Sequence, residues 1–244
     1  MIAVILAAGM GTRLRPLTDE IPKPLLEMNG LTLLERMIKN CMNEGIEKFI
    51  VVTGYYSQKV DDLCSQLEDK YSIQIRTIKN ENYDTTNTSV STFLASSFIE
   101  NNETGEDFIL INGDNVLDPQ IIHNIVESQH SSLIVDNFKE LNEESFKLII
   151  DNDEIRDIGK QLNIEESSGE FIGISKVISA DLPNFNKILD ELISDDSQNY
   201  YDYAYQNLSK LTHLEYVFTD GLEWTEIDDH VDYQKAQSIL DKIE

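Results

Sequence analysis

Between Leu6 and Leu26 the chain reads LAAGMGTRLRPLTDEIPKPLL: a small-residue turn follows an apolar start, and a lysine sits between two prolines. Ala7, Ala8, Gly9 and Gly11 let backbone N–H groups approach an anion or a base closely, and Arg13 carries a planar fork of donors suited to phosphate oxygens. Pro22 and Pro24 stiffen the segment around Lys23, so its ammonium is a fixed point charge. These residue types suit the gripping of phosphate. Two common templates fail on spacing. A dinucleotide fingerprint begun at Gly9 and Gly11 requires a small residue where Leu14 stands, and a Walker loop requires glycine and then Lys-Ser/Thr where Leu14-Arg15 stands.

Carboxylates appear at two further places. In FILINGDNVL an apolar run ends at Asn112-Gly113-Asp114, which sets an acid at a strand's carboxyl end, and WTEIDDHVDY brings Glu226 and Asp228 to one face if it is extended. Such hard oxygens suit a Mg²⁺ ion between protein and phosphates. The plainer reading has Asp114 capping a turn and Asp228 capping the final helix. His123, His130, His213 and His230 show no metal-like spacing and read as structural or solvated. Cys41 and Cys64 fall in helical segments without CxxC spacing and read as buried thiols of a reducing cytoplasm.

Strand-length apolar runs alternate with helical patterns: IAVILAA, LTLLERMIKNCMNEG, FIVVTGY, VDDLCSQLEDKY, IQIRTIKN, SVSTFLASSFI and FILINGDNVL. This alternation predicts a mostly parallel sheet covered on both faces, with the loops after IAVILAA, FIVVTG and FILING converging on one cleft. After about residue 131, SLIVDNF, FKLIIDNDEIRDIGK and GEFIGISKV read as antiparallel strands. Helical stretches follow over 181–195 and 199–211, then LEYVFTDGLEWTEID and a closing helix from Val231. No repeat or linker divides residues 1–244, so one continuous domain is expected.

The chain has 244 residues, 41% of them hydrophobic, which suits a substantial core. Nineteen basic residues against 45 acidic ones leave a net charge of -26, which argues against binding DNA or RNA. No run of like charge marks a binding tail, and no apolar run is long enough for a membrane span. MIAVILAAGM lacks a basic n-region, and Arg13 and Arg15 stand where a cleavage region would be, so the expected location is the cytoplasm.

LAAGMGTRL followed by PKPLL resembles the signature of the sugar-1-phosphate nucleotidylyltransferase superfamily, whose members join a nucleoside triphosphate to a phosphorylated acceptor. Gly9, Gly11, Thr12, Arg13, Pro22, Lys23, Pro24 and Leu25 match in order and spacing. The resemblance implies an α/β fold, a Rossmann-like nucleotidyltransferase (GT-A-like) mixed sheet flanked by helices. It implies a nucleotide-binding part over 1–130 and a smaller C-terminal acceptor-binding portion over 131–244. It also implies that Leu6, Ala7, Ala8, Gly9, Gly11 and Thr12 lie against the nucleotide, and that Arg13 binds the β- and γ-phosphates. Lys23 would bridge the α-phosphate and the acceptor, while Asp114 and Asp228 hold Mg²⁺.

The segment NENYDTTNTSVSTFLA departs from the sugar-specific Gly-Thr-Ala turn. It resembles phosphocholine and 2-aminoethylphosphonate cytidylyltransferases at Asn80, Tyr83, Thr86, Asn87 and Ser89 or Ser91, which implies CTP, with these residues at the base and ribose. IGK at 158–160, GEFIGISKV, NYYDYAYQNL and WTEID occur in the order those enzymes use. Lys160 is then a second cation on the acceptor's phosphate or phosphonate, and Glu170, Tyr201, Asp202 and Glu226 are acceptor-binding. Tyr200, Tyr201, Asp202, Tyr203 and Tyr205, with Trp224, read either as a cage for an ammonium or as core and rim. Tyr201-Asp202 replaces the family's Tyr-Tyr-Glu, which also admits a neutral hydroxyethylphosphonate.

The reaction so implied is in-line attack by an acceptor oxygen on the α-phosphorus of CTP, with pyrophosphate leaving. A phosphate monoester has a second pKa of about 6 and needs no protein base, so catalysis rests on Lys23, Arg13, Lys160 and Mg²⁺. The alternatives are a sugar-1-phosphate uridylyl- or thymidylyltransferase and a non-catalytic nucleotide binder. The oligomeric state is open, a homodimer being one option.

Overall fold

IAVILA is apolar at every position and FILIN at all but its last, Asn112, so both runs must be buried on both faces, and they form central parallel strands. A computed structural model describes residues 1–103 and 105–243. Its first half runs β1 (Ile2–Ala7), β2 (Glu27–Met28), β3 (Leu31–Thr32), α1 (Leu33–Asn43), β4 (Lys48–Thr53), α2 (Ser57–Tyr71), β5 (Gln74–Lys79), α3 (Thr88–Asn102), β6 (Phe108–Asn112), β7 (Asn115–Leu117) and α4 (Gln120–Glu127). The second half runs β8 (Ser132–Asp136), β9 (Lys147–Asp151), β10 (Glu154–Gly159), β11 (Gly169–Val177), α5 (Leu182–Asp195), α6 (Asp202–Leu208), β12 (Glu215–Phe218), β13 (Trp224–Glu226) and α7 (His230–Ile243).

A nine-stranded mixed sheet joins both halves in the order β10-β9-β11-β6-β1-β4-β5, with β8 on β11 and β12 on β8. Strands β5, β4, β1 and β6 pair in parallel, and β11 runs antiparallel to β6, β8 and β9. The segments read as antiparallel, β8, β9, β10 and β11, pair in that way, and β12 then adds parallel to β8. The helix expected over 199–211 is confined to Asp202–Leu208.

Hydrophobic clusters pack on the two faces of the sheet, and a third joins Leu14 and Leu26 of the opening loop to Val116, Ile227 and Leu240. That third cluster matters for function. It pins α7 and the β7–β13 ribbon under the loop that carries Arg13 and Lys23, so residues 114 and 228 are delivered to residues 13 and 23 by burial of apolar surface.

Strand β11 changes neighbour along its length, pairing with β9 at Gly169–Glu170 and with β6 from Ile174 onward. The switch is a bulge, with a register shift between Phe171 and Ser175 and a positive φ of 74° at Gly173. A Cβ at Gly173 would lie 2.2 Å from Nδ2 of Asn112, so glycine there keeps room for the side chain that ends β6.

Candidate active site

The turn after β1 is built by glycine and hydrogen bonding. Gly11 adopts φ 59°, and Oγ1 of Thr18 donates to its carbonyl at 2.7 Å, which holds the turn closed over a short 3₁₀ segment, Thr12–Leu14. Gly113 donates its N–H to the carbonyl of Leu6 at 2.9 Å, so the ends of β1 and β6 touch. A Cβ at Gly9, by contrast, would meet no protein atom within 4 Å. The first glycine is therefore spared a side chain by no packing need, and its bare face opens onto the cleft.

Pro22 leads extended into a second 3₁₀ segment, Lys23–Leu25, and aims Lys23 inward. Its Nζ donates to Oδ2 of Asp114 at 2.8 Å and to Oδ1 of Asp228 at 3.2 Å. Arg13 reaches the other oxygen of Asp228 at 2.9 Å. Burial works to lower the pKa of Lys23, but the two carboxylates outweigh it and hold the ammonium above its ordinary value. Two of its three donors are used, which leaves one for an anion.

Neither acid is a simple cap. The backbone N–H groups of Val231 and Asp232 donate to Oδ1 of Asp229, so Asp229 caps α7 and leaves Asp228 to the cationic cluster. The backbone N–H of Ile227 donates to the carbonyl of Asp114 at 3.1 Å, fixing the two acid-bearing segments side by side.

Beside this cluster lies a cavity of about 200 Å³ bounded by Gly9, Tyr83, Asn87, Ser91, Asn112 and Asp114, continued by a smaller one of about 80 Å³ at Gly11 and Lys23. Leu6 and Ala8 line the first and Ala7 the second, whereas Thr12 is exposed on the turn. A larger hollow of about 410 Å³, where Glu103 and Glu106 pair with Lys48, reaches the first residues of β1, β4 and β5, Ile2, Lys48 and Gln74, and so lies away from the loops at the carboxyl ends of the strands.

The loop over 80–87 and the first turn of α3 limit what two of the expected nucleotide-side residues can offer. Asn80 lines the cavity but is 2% exposed, and its amide is largely spent on the protein: both N–H groups donate, to Thr86 and Ser91, and the oxygen accepts from the N–H of Asn82, so it shapes the loop and keeps one lone pair uncommitted. Ser89 is wholly buried and does not line the cavity; Ser91, one turn-face away on α3, does. Thr86 and Asn87 remain on the wall, Asn87 also capping α3 through the N–H of Thr88.

The nucleotidyl transferase family model matches residues 2–156, which carry the small-residue cleft and every group of the Lys23 cluster except Asp228. The chain belongs to this nucleotidyl transferase family. The choline-phosphate cytidylyltransferase of Streptococcus pneumoniae is 29% identical over 249 residues, covering 98% of each chain. The 2-aminoethylphosphonate cytidylyltransferase of Lancefieldella rimae is 32% identical over 120 residues, covering 48% of this chain and 47% of that one. A solved inositol-1-phosphate CTP transferase from T. maritima shares the fold, with TM-score 0.81 at 23% identity, covering 99% of this chain and 95% of that one. A nucleotidyl-transferring enzyme with an α/β mixed sheet is thus the identity of the molecule.

In this nucleotidyl transferase a hydrogen-bonded chain centres on Asn112, two residues before Asp114. Tyr201 donates to Oδ1 of Asn112 at 3.1 Å, and the Asn112 amide donates to Glu226 at 3.2 Å. Burial first, and the neighbouring Asp114 next, push the Glu226 carboxyl up to about 8. Asn112 is the hub that sequence reasoning passed over. Its signals were a polar residue ending an apolar strand beside Asp114, and a glycine inside GEFIGISKV.

The tyrosine cluster is not an aromatic cage. Tyr201 and Tyr205 are 1% and 0% exposed, packed on Phe171 and Phe185, because α6 presents 201, 204, 205 and 208 to the core at helical spacing. Tyr203 packs on Phe146, and Trp224 is buried with the Lys139 ammonium 3.2 Å from its ring centroid. Only Tyr200 of the group is exposed, at 38%, with the Lys160 ammonium 5.1 Å from its ring centroid. Lys160 also pairs with Glu144 at 3.4 Å, so its contacts are with residues 144 and 200 and not with the Lys23 cluster. Glu170 is half-buried, and burial raises its pKa.

Asp202 is buried, and burial pushes its pKa from 3.8 up to about 7. A raised carboxylate pKa means the folded state holds the proton that the unfolded state loses, so stability falls as pH rises from about 4 to about 7. Asp202→Asn is therefore expected to stabilise the protein by on the order of 2–4 kcal/mol at pH 8 and by nothing below pH 4. Urea unfolding at both pH values checks this, and an equal effect at both would contradict it.

Proposed function

We propose that this enzyme transfers CMP from CTP to a small phosphorylated or phosphonate acceptor of the phosphocholine, 2-aminoethylphosphonate or hydroxyethylphosphonate type, releasing pyrophosphate. The observation that carries the proposal is Lys23, whose ammonium bridges Asp114 and Asp228 at the mouth of the small-residue cleft. A stripped backbone at Gly9 leaves space for a triphosphate, and Arg13 stands beside it with four of its five donors outside the Asp228 pair.

Asp114 and Asp228 fit Mg²⁺: their hard, partly exposed oxygens converge on one cation, at 2.8 and 3.2 Å from Nζ of Lys23. When bound, Mg²⁺ would neutralise charge on the triphosphate. An acceptor oxygen forms a bond to the α-phosphorus of CTP while the bond to the β-phosphate's bridging oxygen breaks, and pyrophosphate carries that electron pair away. Lys23 holds the α-phosphate and acceptor together, Arg13 steadies the leaving phosphates, and Lys160 meets the acceptor anion. Burial raises the pKa of Glu170, Asp202 and Glu226, so a head group bearing an ammonium beside them would favour their charged forms. The similarity to choline-phosphate and 2-aminoethylphosphonate cytidylyltransferases supports the same acceptor class.

Pyrophosphate release over a matrix of CTP, UTP, dTTP, ATP and GTP against phosphocholine, aminoethylphosphonate, hydroxyethylphosphonate and glucose-1-phosphate tests this. Release is expected with CTP and a small phosphate or phosphonate. Release with UTP or dTTP and glucose-1-phosphate in its place would assign the chain to sugar activation.

A further inference from the structure

At the end of the sheet opposite the cleft, two parallel strands begin side by side. Glu215 opens β12 opposite Ser132 of β8, and its N–H donates to the carbonyl of Ser131 at 2.8 Å. His213 stands two residues before Glu215 and His130 two before Ser132, so the parallel register places both imidazoles beside the Glu215 carboxylate. Oε1 of Glu215 lies 3.8 Å from Nε2 of His130 and 3.6 Å from Nε2 of His213. One donor atom from each of the three residues falls within 4.8 Å of the other two, and among the described residues this is the one such group. In sequence the histidines showed no metal-like spacing, because strand pairing, not chain distance, brings them together.

These separations are too long for hydrogen bonds. They approach the edge of a tetrahedral site, where ligands about 2.0–2.1 Å from an ion stand about 3.3 Å apart. The carboxylate is also oriented from behind: its other oxygen accepts from Oγ of Ser128 at 2.9 Å, the kind of outer contact that fixes a metal ligand. Both imidazoles are about half exposed, and His213 borders a surface hollow of about 400 Å³, which gives an ion a way in. Two imidazoles and one carboxylate prefer Zn²⁺ and its neighbours to Mg²⁺.

We propose that His130, His213 and Glu215 bind one transition-metal ion of the Zn²⁺ class, which clamps the start of β12 to the start of β8. The fourth position is left to water. Strand β12 takes its backbone partners from β8, and it leads into the segment that carries Glu226 and Asp228, so the clamp steadies the chain that reaches the cleft without entering it.

The test is calorimetric titration of Zn²⁺ into the metal-stripped full chain, with excess Mg²⁺ present to occupy hard acidic sites. One Zn²⁺ per chain is expected, with binding at least ~100-fold weaker in His130→Ala and in His213→Ala. Both side chains are exposed, so both variants should fold, and Glu215→Gln supplies an independent ligand deletion. Co²⁺ in place of Zn²⁺ should give visible d–d absorption that both histidine variants lose. Turnover with Mg²⁺ should not change in either variant. Zn²⁺ binding of undiminished affinity in the double histidine variant, or none in the unaltered chain, would overturn the proposal.

Discussion

Replacing Lys23 by alanine is expected to leave a folded protein whose turnover has fallen at least ~10³-fold. The reason lies in what the ammonium touches. It is the shared partner of Asp114 and Asp228, 12% exposed between them, and its remaining donor is the nearest fixed positive charge to the small-residue cleft. Removing it leaves two carboxylates facing each other and an anionic substrate facing both, so repulsion rises where the reaction must gather negative charge. The protein should still fold, since neither acid belongs to the apolar clusters and Asp114 and Asp228 are 25% and 35% exposed. Lys23→Arg keeps the charge but spreads it over a planar fork, and only partial recovery is expected. Steady-state kinetics with circular dichroism as a fold check decides the matter. A Lys23→Ala enzyme with near-normal kcat would remove this residue from the chemistry.

The second large effect is a contrast between two glycines. At Gly113 an added Cβ would lie 2.4 Å from the carbonyl oxygen of Leu6, a backbone atom that cannot step aside without parting the ends of β1 and β6. Gly113→Ala should therefore lose about 1–3 kcal/mol of stability from overpacking. It should also cost catalysis on the order of 10²-fold by displacing Asp114, the next residue. Gly9→Ala should cost no stability, because its Cβ meets no protein atom within 4 Å and alanine restricts the unfolded chain. What it should lose is affinity: the methyl group occupies cleft space, and KM for the nucleotide is expected to rise at least ~10-fold with little change in the denaturation midpoint. Equal behaviour of the two variants in urea unfolding and in KM would mean that Gly9 does not face the substrate.

Residues 6–26 announced their own geometry. Gly9 and Gly11 mark a turn where the backbone can take conformations closed to other residues, and Pro22 and Pro24 restrict the chain around Lys23, so a tight turn and a stiffened lysine were legible before any coordinate. The central parallel strands were equally plain, since IAVILA and FILIN have no polar face to show water. Legibility declined where tertiary contacts decide. NYYDYAYQNL carries a helical repeat of aromatics, and nothing local tells a ring facing the core from a ring facing a ligand; the apolar neighbours Phe171 and Phe185, distant in sequence, drew Tyr201 and Tyr205 inside. The choice between Ser89 and Ser91 and the partners of Asn80 were not legible for a related reason: which face of α3 meets the cavity, and how the loop folds back on an amide, are set by tertiary packing. Asn112 and the His130–His213–Glu215 group share the same cause, since strand register and a bulge create them.

The central claim is that an acceptor oxygen attacks the α-phosphorus of CTP in the cleft built by Lys23, Asp114 and Asp228. The most direct measurement is a single turnover with α-phosphorus-labelled CTP, Mg²⁺ and phosphocholine or aminoethylphosphonate, followed by separation of the products. The label is expected in the cytidine ester of the acceptor, with unlabelled pyrophosphate released in equal amount. Label that stays in CTP with every small phosphate or phosphonate acceptor, or appears as free CMP without an acceptor, would contradict the account.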